Sequence, residues 1–242
     1  MRDWQGKTYW LIGASEGLGR ALAQKMSAAG ATLYLSARSK ERLDELVSEL
    51  PGTAHAVPLD VTNRQEVEAA KEEIGQLDGM VFLAGVYWPL AAQEWNTEQV
   101  ELMGQVNFIG GTNSVGAVIG DMVARDAGHI VITGSLSGFR GLPGAIGYGA
   151  SKAGLMYLAE GMYADLKKTG VDVQLINPGF IKTRLTDKNT FSMPFIMEPE
   201  EAATLMFEHM NTQRFKRSFP RMFSWFFRLS QFLPDWLYYR IF

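Results

Sequence analysis

Thr8-Tyr9-Trp10-Leu11-Ile12-Gly13-Ala14-Ser15-Glu16-Gly17-Leu18-Gly19 is the stretch on which the fold turns. Its first five residues are mostly large and β-forming, and they read as a strand apolar on both faces. The glycines that follow permit positive φ and let the backbone approach a ligand closely. Arg20 to Ala29 then reads as a helix. A strand, a tight turn and a helix in that order form an anion cradle. The first N–H groups of a helix have no partner within it, and the aligned peptide dipoles add partial positive charge there. The spacing is G-x-x-x-G-x-G, and its context assigns the turn to the pyrophosphate of a dinucleotide.

Outward from this stretch, apolar runs of strand length recur at Thr32–Ser36, His55–Leu59, Gly79–Leu83, His129–Thr133 and Val171–Ile176, separated by stretches of helix length. Runs apolar on both faces suit central parallel strands covered by helices on each side. The right-handed crossover rule then predicts an α/β fold, a doubly wound parallel β-sheet of Rossmann type. The 242 residues, 47% of them hydrophobic, suffice for one such domain. We place the dinucleotide-binding and catalytic domain at 1–210 and an aromatic-rich, amphipathic helical extension at 211–242.

Composition narrows the chemistry. Cysteine is absent and the three histidines, His55, His129 and His209, are scattered, so thiolate, disulfide and metal chemistry are not expected. The net charge is −3, yet residues 211–242 hold six Lys/Arg against Asp235 alone, a local +5 that leaves −8 elsewhere. No basic stripe crosses the body of the chain, which argues against a nucleic acid partner. The apolar run near the N-terminus is too short for the core of a signal peptide, and the expected location is cytoplasmic.

Two further features point to redox chemistry. At the end of the second run, Ala37 is not acidic and Arg38 is basic; an acid there would bond a ribose 2′-hydroxyl, whereas an arginine accommodates a 2′-phosphate. NADP(H) is therefore favoured, with NAD(H) left open; Glu16 beside the phosphate position weighs the other way. In a helix running to Lys168, Tyr148 and Lys152 lie at i and i+4 on one face. A free phenol has a pKa of roughly 10. A neighbouring ammonium stabilises the phenolate and brings the group toward the range that general acid–base catalysis needs.

Together with Leu59-Asp60-Val61, Asn107, Gly134-Ser135 and Asn177-Pro178-Gly179, the glycine turn and Tyr148-x-x-x-Lys152 make six ordered motifs. Over about residues 6 to 205 the chain thereby resembles the short-chain dehydrogenase/reductase family. The resemblance implies that Tyr148 protonates a carbonyl oxygen as hydride arrives from the nicotinamide, and that oxidation runs the same steps backwards. It implies that Lys152 lowers the Tyr148 pKa and bonds the nicotinamide ribose, that Ser135 holds the substrate oxygen, and that Asn107 supports a water leading protons to Lys152. For the cofactor it implies contacts from Gly13, Ser15, Glu16, Gly17, Leu18, Gly19 and Arg38. Asp60 and Val61 would lie at the adenine and Leu83-Ala84-Gly85 near the adenosine ribose. Pro178, Gly179, Ile181 and Thr183 would surround the nicotinamide. One departure stands out: Leu83 replaces the asparagine usual in the family, and local repacking with retained binding is expected. The resemblance also implies a homodimer or homotetramer paired through residues 98–121 and 151–168.

Residues expected after the strand ends, Val86, Tyr87, Trp88, Leu142, Pro143, Phe180 and, from the loop Leu185–Met197, Phe191, Met193, Phe195 and Met197, are nearly all apolar, so the expected substrate is a lipophilic carbonyl or alcohol. A 3-oxoacyl-thioester reductase and a non-catalytic dinucleotide-binding sensor or scaffold are the rival readings. In the extension, Arg221, Ser224, Arg228, Gln231 and Asp235 follow helical spacing opposite Met222, Trp225, Phe226, Leu229, Phe232 and Leu233, with Pro234 ending the first helix and opening a shorter one. It can fold over the substrate cleft, form a subunit interface, or lie peripherally at a membrane surface.

Overall fold

The computed structural model describes residues 2–241. Seven parallel strands form one sheet in the order β3-β2-β1-β4-β5-β6-β7. They are β1 (Thr8–Ile12), β2 (Thr32–Ser36), β3 (Ala54–Ala56), β4 (Gly79–Phe82), β5 (Gly128–Thr133), β6 (Val171–Pro178) and β7 (Lys216–Phe219). The helices are α1 (Gly17–Ala28), α2 (Lys40–Glu49), α3 (Arg64–Ile74), α4 (Thr97–Met103), α5 (Gly110–Ala124), α6 (Ile146–Leu166), α7 (Pro199–Met210), α8 (Arg221–Ser230) and α9 (Asp235–Ile241). The doubly wound parallel sheet read from the sequence is the observed fold.

Alternation along the strands sends side chains into two cores. Tyr9 and Leu11 of β1 join Leu22 and Met26 of α1 and Met206 and Met210 of α7, whereas Trp10 and Ile12 join residues of α3, α5 and α6 on the opposite face. Local chemistry sets the helix starts. The side chains of Ser39, Asn63 and Asn96 accept N–H bonds at the first turns of α2, α3 and α4, and Pro199 opens α7.

The sheet does not end at residue 210. Lys216–Phe219 pairs with Leu175–Pro178 as the edge strand β7, so the segment 211–242 divides into a strand of the central sheet and the two helices beyond it. Its sequence, Lys-Arg-Ser-Phe, is too polar to read as an apolar run, and such composition is common on an edge. Between α4 and α5 the chain forms a π-helical turn, Gly104–Ile109, that contains Asn107.

Candidate active site

Strand order reverses direction between β1 and β4, and a cleft of about 270 Å³ opens there at the carboxyl ends of the strands. Gly13 lies on its floor with φ of 95°, where a Cβ would stand 2.4 Å from the backbone nitrogen of Ala84, so only glycine fits. Every residue read above as a cofactor contact lines this cleft, from the glycine turn through Arg38, Asp60 and Val61 to Leu83–Gly85, Tyr148, Lys152, Pro178, Gly179, Ile181 and Thr183. The backbone meets the Leu83 departure: Leu83 N and Ala84 N both donate to Ile12 O, at 2.8 and 2.9 Å.

The surroundings fit a dinucleotide. No side chain caps the start of α1, so its first N–H groups remain available to an anion. The Thr133 hydroxyl, buried in the cleft wall, has no partner among the described residues. Arg38 is exposed at the cleft and makes no ion pair among the described residues, so its guanidinium can meet a phosphate. Two arginines that the sequence reading passed over line the same cleft. Arg42, in the first turn of α2, and Arg184, after Thr183, both bind the Glu16 carboxylate, at 2.8 and 2.9 Å. Arg42 is four residues beyond Arg38, a signal missed because the reading stopped at the strand end.

The polar groups converge from three elements. Ser135 follows β5, and its hydroxyl oxygen accepts from the Ser137 N–H at 3.2 Å and lies 3.0 Å from the Ser137 hydroxyl. Tyr148 and Lys152 sit one turn apart at the start of α6, with the Lys152 Nζ 5.8 Å from the Tyr148 ring centre and donating to Thr133 O at 2.9 Å. Lys152 is only 3% exposed, and burial lowers its pKa to about 8. Burial pushes the Tyr148 phenol up to about 12, the opposite of the lowering expected from Lys152; the Ser135 side chain opposes the rise and the neighbouring Tyr87 phenol adds to it. A phenol held protonated beside an ammonium at a cleft wall can deliver a proton to an oxygen bound against it.

Asn107 is fully buried behind this pair. Its amide nitrogen donates to Val86 O at 3.0 Å and to the Ser151 hydroxyl at 2.9 Å, and its oxygen accepts from Val86 N at 2.7 Å. Ser151 in turn donates to Tyr148 O at 2.8 Å, so a residue the sequence reading did not single out links Asn107 to the turn that holds Tyr148. The π-helical geometry aims Asn107 at the strand end, a placement that spacing alone does not reveal.

Beside the cleft the Tyr87 ring packs edge-on against Tyr148 with centres 5.0 Å apart. The Tyr87 hydroxyl donates to Asn189 at 2.7 Å, and Lys188 donates to Tyr87 O at 2.8 Å while lying 3.9 Å from the Trp88 ring centre. The loop 185–197 is thus fastened to the residues after β4.

Comparison with known proteins identifies the family and the fold. The family model described as short chain dehydrogenase matches residues 7–192. The chain is 36% identical to an uncharacterised oxidoreductase of Myxococcus xanthus, over 98% of this chain and 97% of that one. Among solved structures it is similar to a short-chain dehydrogenase from Sphingobium yanoikuyae in complex with NADPH, with a TM-score of 0.82, 24% identity and coverage of 95% and 97% of the two chains. A short chain dehydrogenase/reductase from Burkholderia phymatum in complex with NAD gives a TM-score of 0.83 at 24% identity, covering 95% and 94%.

Proposed function

The chain belongs to the short-chain dehydrogenase family, and from that premise we propose that it is an NADP(H)-dependent oxidoreductase interconverting a carbonyl and an alcohol on an apolar substrate. The observation that supports this most is the placement of Tyr148 and Lys152 on the wall of the same cleft that the glycine turn and Arg38 line. When bound, the nicotinamide supplies or accepts the hydride. The protein supplies position and protons. The uncapped start of α1 and the glycine turn hold the pyrophosphate, and Arg38, with Arg42 beside it, receives the 2′-phosphate. Ser135 orients the substrate oxygen, and Tyr148 gives that oxygen a proton in reduction and takes one back in oxidation. Lys152, as an ammonium, favours the phenolate that remains; Asn107 fixes the backbone beside it, which suits a proton path to Lys152.

The apolar substrate class rests on Tyr87, Trp88, Phe180 and the loop 185–197 around the cleft mouth. Pairing of two chains through the outer faces of α4, α5 and α6, where Leu102, Val123 and Tyr157 are exposed, would give the homodimer or homotetramer expected from the resemblance.

Fluorescence titration with NADPH and NADH tests the cofactor assignment. NADPH is expected to bind roughly tenfold or more tightly than NADH, with the difference lost in Arg38→Ala, as befits a charge-assisted contact. Equal or NADH-favouring binding overturns it. Tyr148→Phe should bind cofactor normally and lose turnover by roughly a hundredfold or more on a panel of apolar ketones and aldehydes; unchanged turnover would remove Tyr148 from the chemistry.

A further inference from the structure

The amphipathic helix α8 is packed in the reverse of the usual sense. Its inward positions are Ser224, Phe227 and Ser230, with Phe223 half-buried, while Met222, Trp225, Leu229 and Phe232 beyond its end face solvent. Met222 is 77% exposed and Phe232 84%. On α9, Tyr238 turns inward while Trp236, Tyr239 and Ile241 turn out. Simple core formation would hide the apolar stripe and expose the serines.

This platform is held firmly. Arg140, in the segment after Ser135, donates to Ser230 O and Leu233 O at 2.7 Å each, and to Asp235 at 2.5 Å, with its guanidinium 3.9 Å from the Tyr238 ring centre. Gln231 donates to Phe139 O and the Tyr238 hydroxyl to Gly141 O. The exposed rings are therefore displayed by helices anchored to the catalytic segment itself.

We infer that the outer face of α8 and α9, together with the rim of the loop 185–197, docks on an anionic lipid surface and turns the mouth of the cleft toward it. Charge chooses this occupant over a second copy of the chain. Arg221, Arg228 and Arg240 are exposed on the platform and form no ion pair among the described residues, and the one acid of α8 and α9, Asp235, is engaged by Arg140, while on the loop rim the exposed Asp187 is neighboured by the exposed Lys188. Two such faces related by a two-fold axis would set arginines against arginines, whereas phosphate headgroups complement them. The residue types also match: tryptophan, tyrosine and phenylalanine among arginines suit the headgroup boundary. Among the described residues no helix is long and apolar enough to cross a membrane, so contact is made from the surface.

Position ties the platform to the cleft. Phe223 packs against Phe180 and Phe195, each with ring centres 5.8 Å away, and Phe180 meets Phe191 at 6.0 Å. Phe191 and Phe195 are themselves exposed. A run of rings thus leads from Phe180, next to the cleft residue Gly179, out to α8. A lipophilic carbonyl could pass along it from the lipid without crossing water; this delivery step rests on the substrate class proposed above, while docking itself does not.

Sedimentation of the full chain with phosphatidylcholine vesicles, with and without phosphatidylglycerol, tests the docking. Binding is expected to the anionic vesicles and to weaken with salt. Arg221→Gln with Arg228→Gln should weaken it roughly thirtyfold, equivalent to about 2 kcal/mol. Met222→Ser with Trp225→Ser and Phe232→Ser should abolish it while leaving NADPH binding and turnover of a water-soluble aldehyde unchanged. Absence of binding to anionic vesicles, or binding unaltered in the triple variant, overturns the inference. Self-association in sedimentation velocity that the triple variant abolishes, without vesicle binding, would identify a second copy as the occupant and overturn it equally. Because vesicle binding is read without turnover, failure of the proposed reaction leaves this result distinguishable.

Discussion

At the scale of single residues, burial of Lys152 carries a cost in stability. Lys152 has an ordinary pKa of 10.5 and is held at about 8 by burial. Between those values the unfolded chain binds more protons than the native one, so native stability rises with pH across the window. The penalty is fully present below pH 8. Lys152→Met should therefore raise the melting temperature at pH 7, by an amount equivalent to at most about 3 kcal/mol. Its advantage should shrink as pH rises from 8 to 10.5, and turnover should fall; a pH-independent difference in calorimetry would refute the burial account. Glu16 presents a second residue-scale test. Its carboxylate occupies Arg42 and Arg184 at the edge of the cleft where Arg38 also lies. Glu16→Gln should tighten NADPH by about 1 kcal/mol, the scale of an exposed charge pair, and leave NADH unchanged. Isothermal titration with both cofactors would read this, and equal shifts for the two would show that Glu16 does not compete with the 2′-phosphate.

At the scale of elements, each group of the proposed site depends on how a segment begins or is interrupted. Tyr148 and Lys152 were legible because i, i+4 spacing survives in any regular helix, and α6 is regular there. The orientation of Asn107 was not legible, since it depends on a π-helical turn that no periodicity announces. Asn107→Ala would strand both the N–H and the carbonyl of Val86. It should cost about 3 kcal/mol in urea unfolding and lower kcat more than it raises KM. A loss of stability with unchanged kcat would confine Asn107 to the framework. The edge strand β7 escaped the sequence reading for a different reason: its pairing with β6 is backbone hydrogen bonding, to which Lys216, Arg217 and Ser218 contribute no apolar signature. The break at Pro234 and the two helices around it follow from local rules, but the face each helix buries does not.

At the scale of the whole molecule, a buried polar chain crosses the sheet. The Tyr9 hydroxyl lies 2.9 Å from His129 Nδ1, His129 Nε2 lies 3.0 Å from Gln174 Oε1, and Gln174 donates to the carbonyls of His209 in the last turn of α7 and of Thr212 and Arg214 beyond it. Burial lowers the His129 pKa from 6.5 to about 3, and burial lowers that of His209 as well. Below pH 6.5 the unfolded chain takes up a proton that the native one refuses, so stability falls as pH drops from 6.5 toward 3. The His129 share of that loss is up to about 5 kcal/mol. In His129→Leu the melting temperature should be lower at neutral pH, because Tyr9 and Gln174 lose a partner, yet its decline with acid should be shallower; a parallel decline would exclude His129 as the source. The sequence by itself determined the alternating elements, the glycine cradle at Gly13–Gly19, the Arg38 position and the Tyr148–Lys152 pair. Each of these is written in spacings shorter than one element and enforced by local sterics and hydrogen bonding. Tertiary structure alone decided that Arg42 and Arg184 converge on Glu16, that Ser151 joins Asn107 to Tyr148, that β7 closes the sheet, and that the aromatic stripe of α8 faces outward. All four require segments far apart in the chain to meet, and which surfaces meet is chosen by the packing of the whole core.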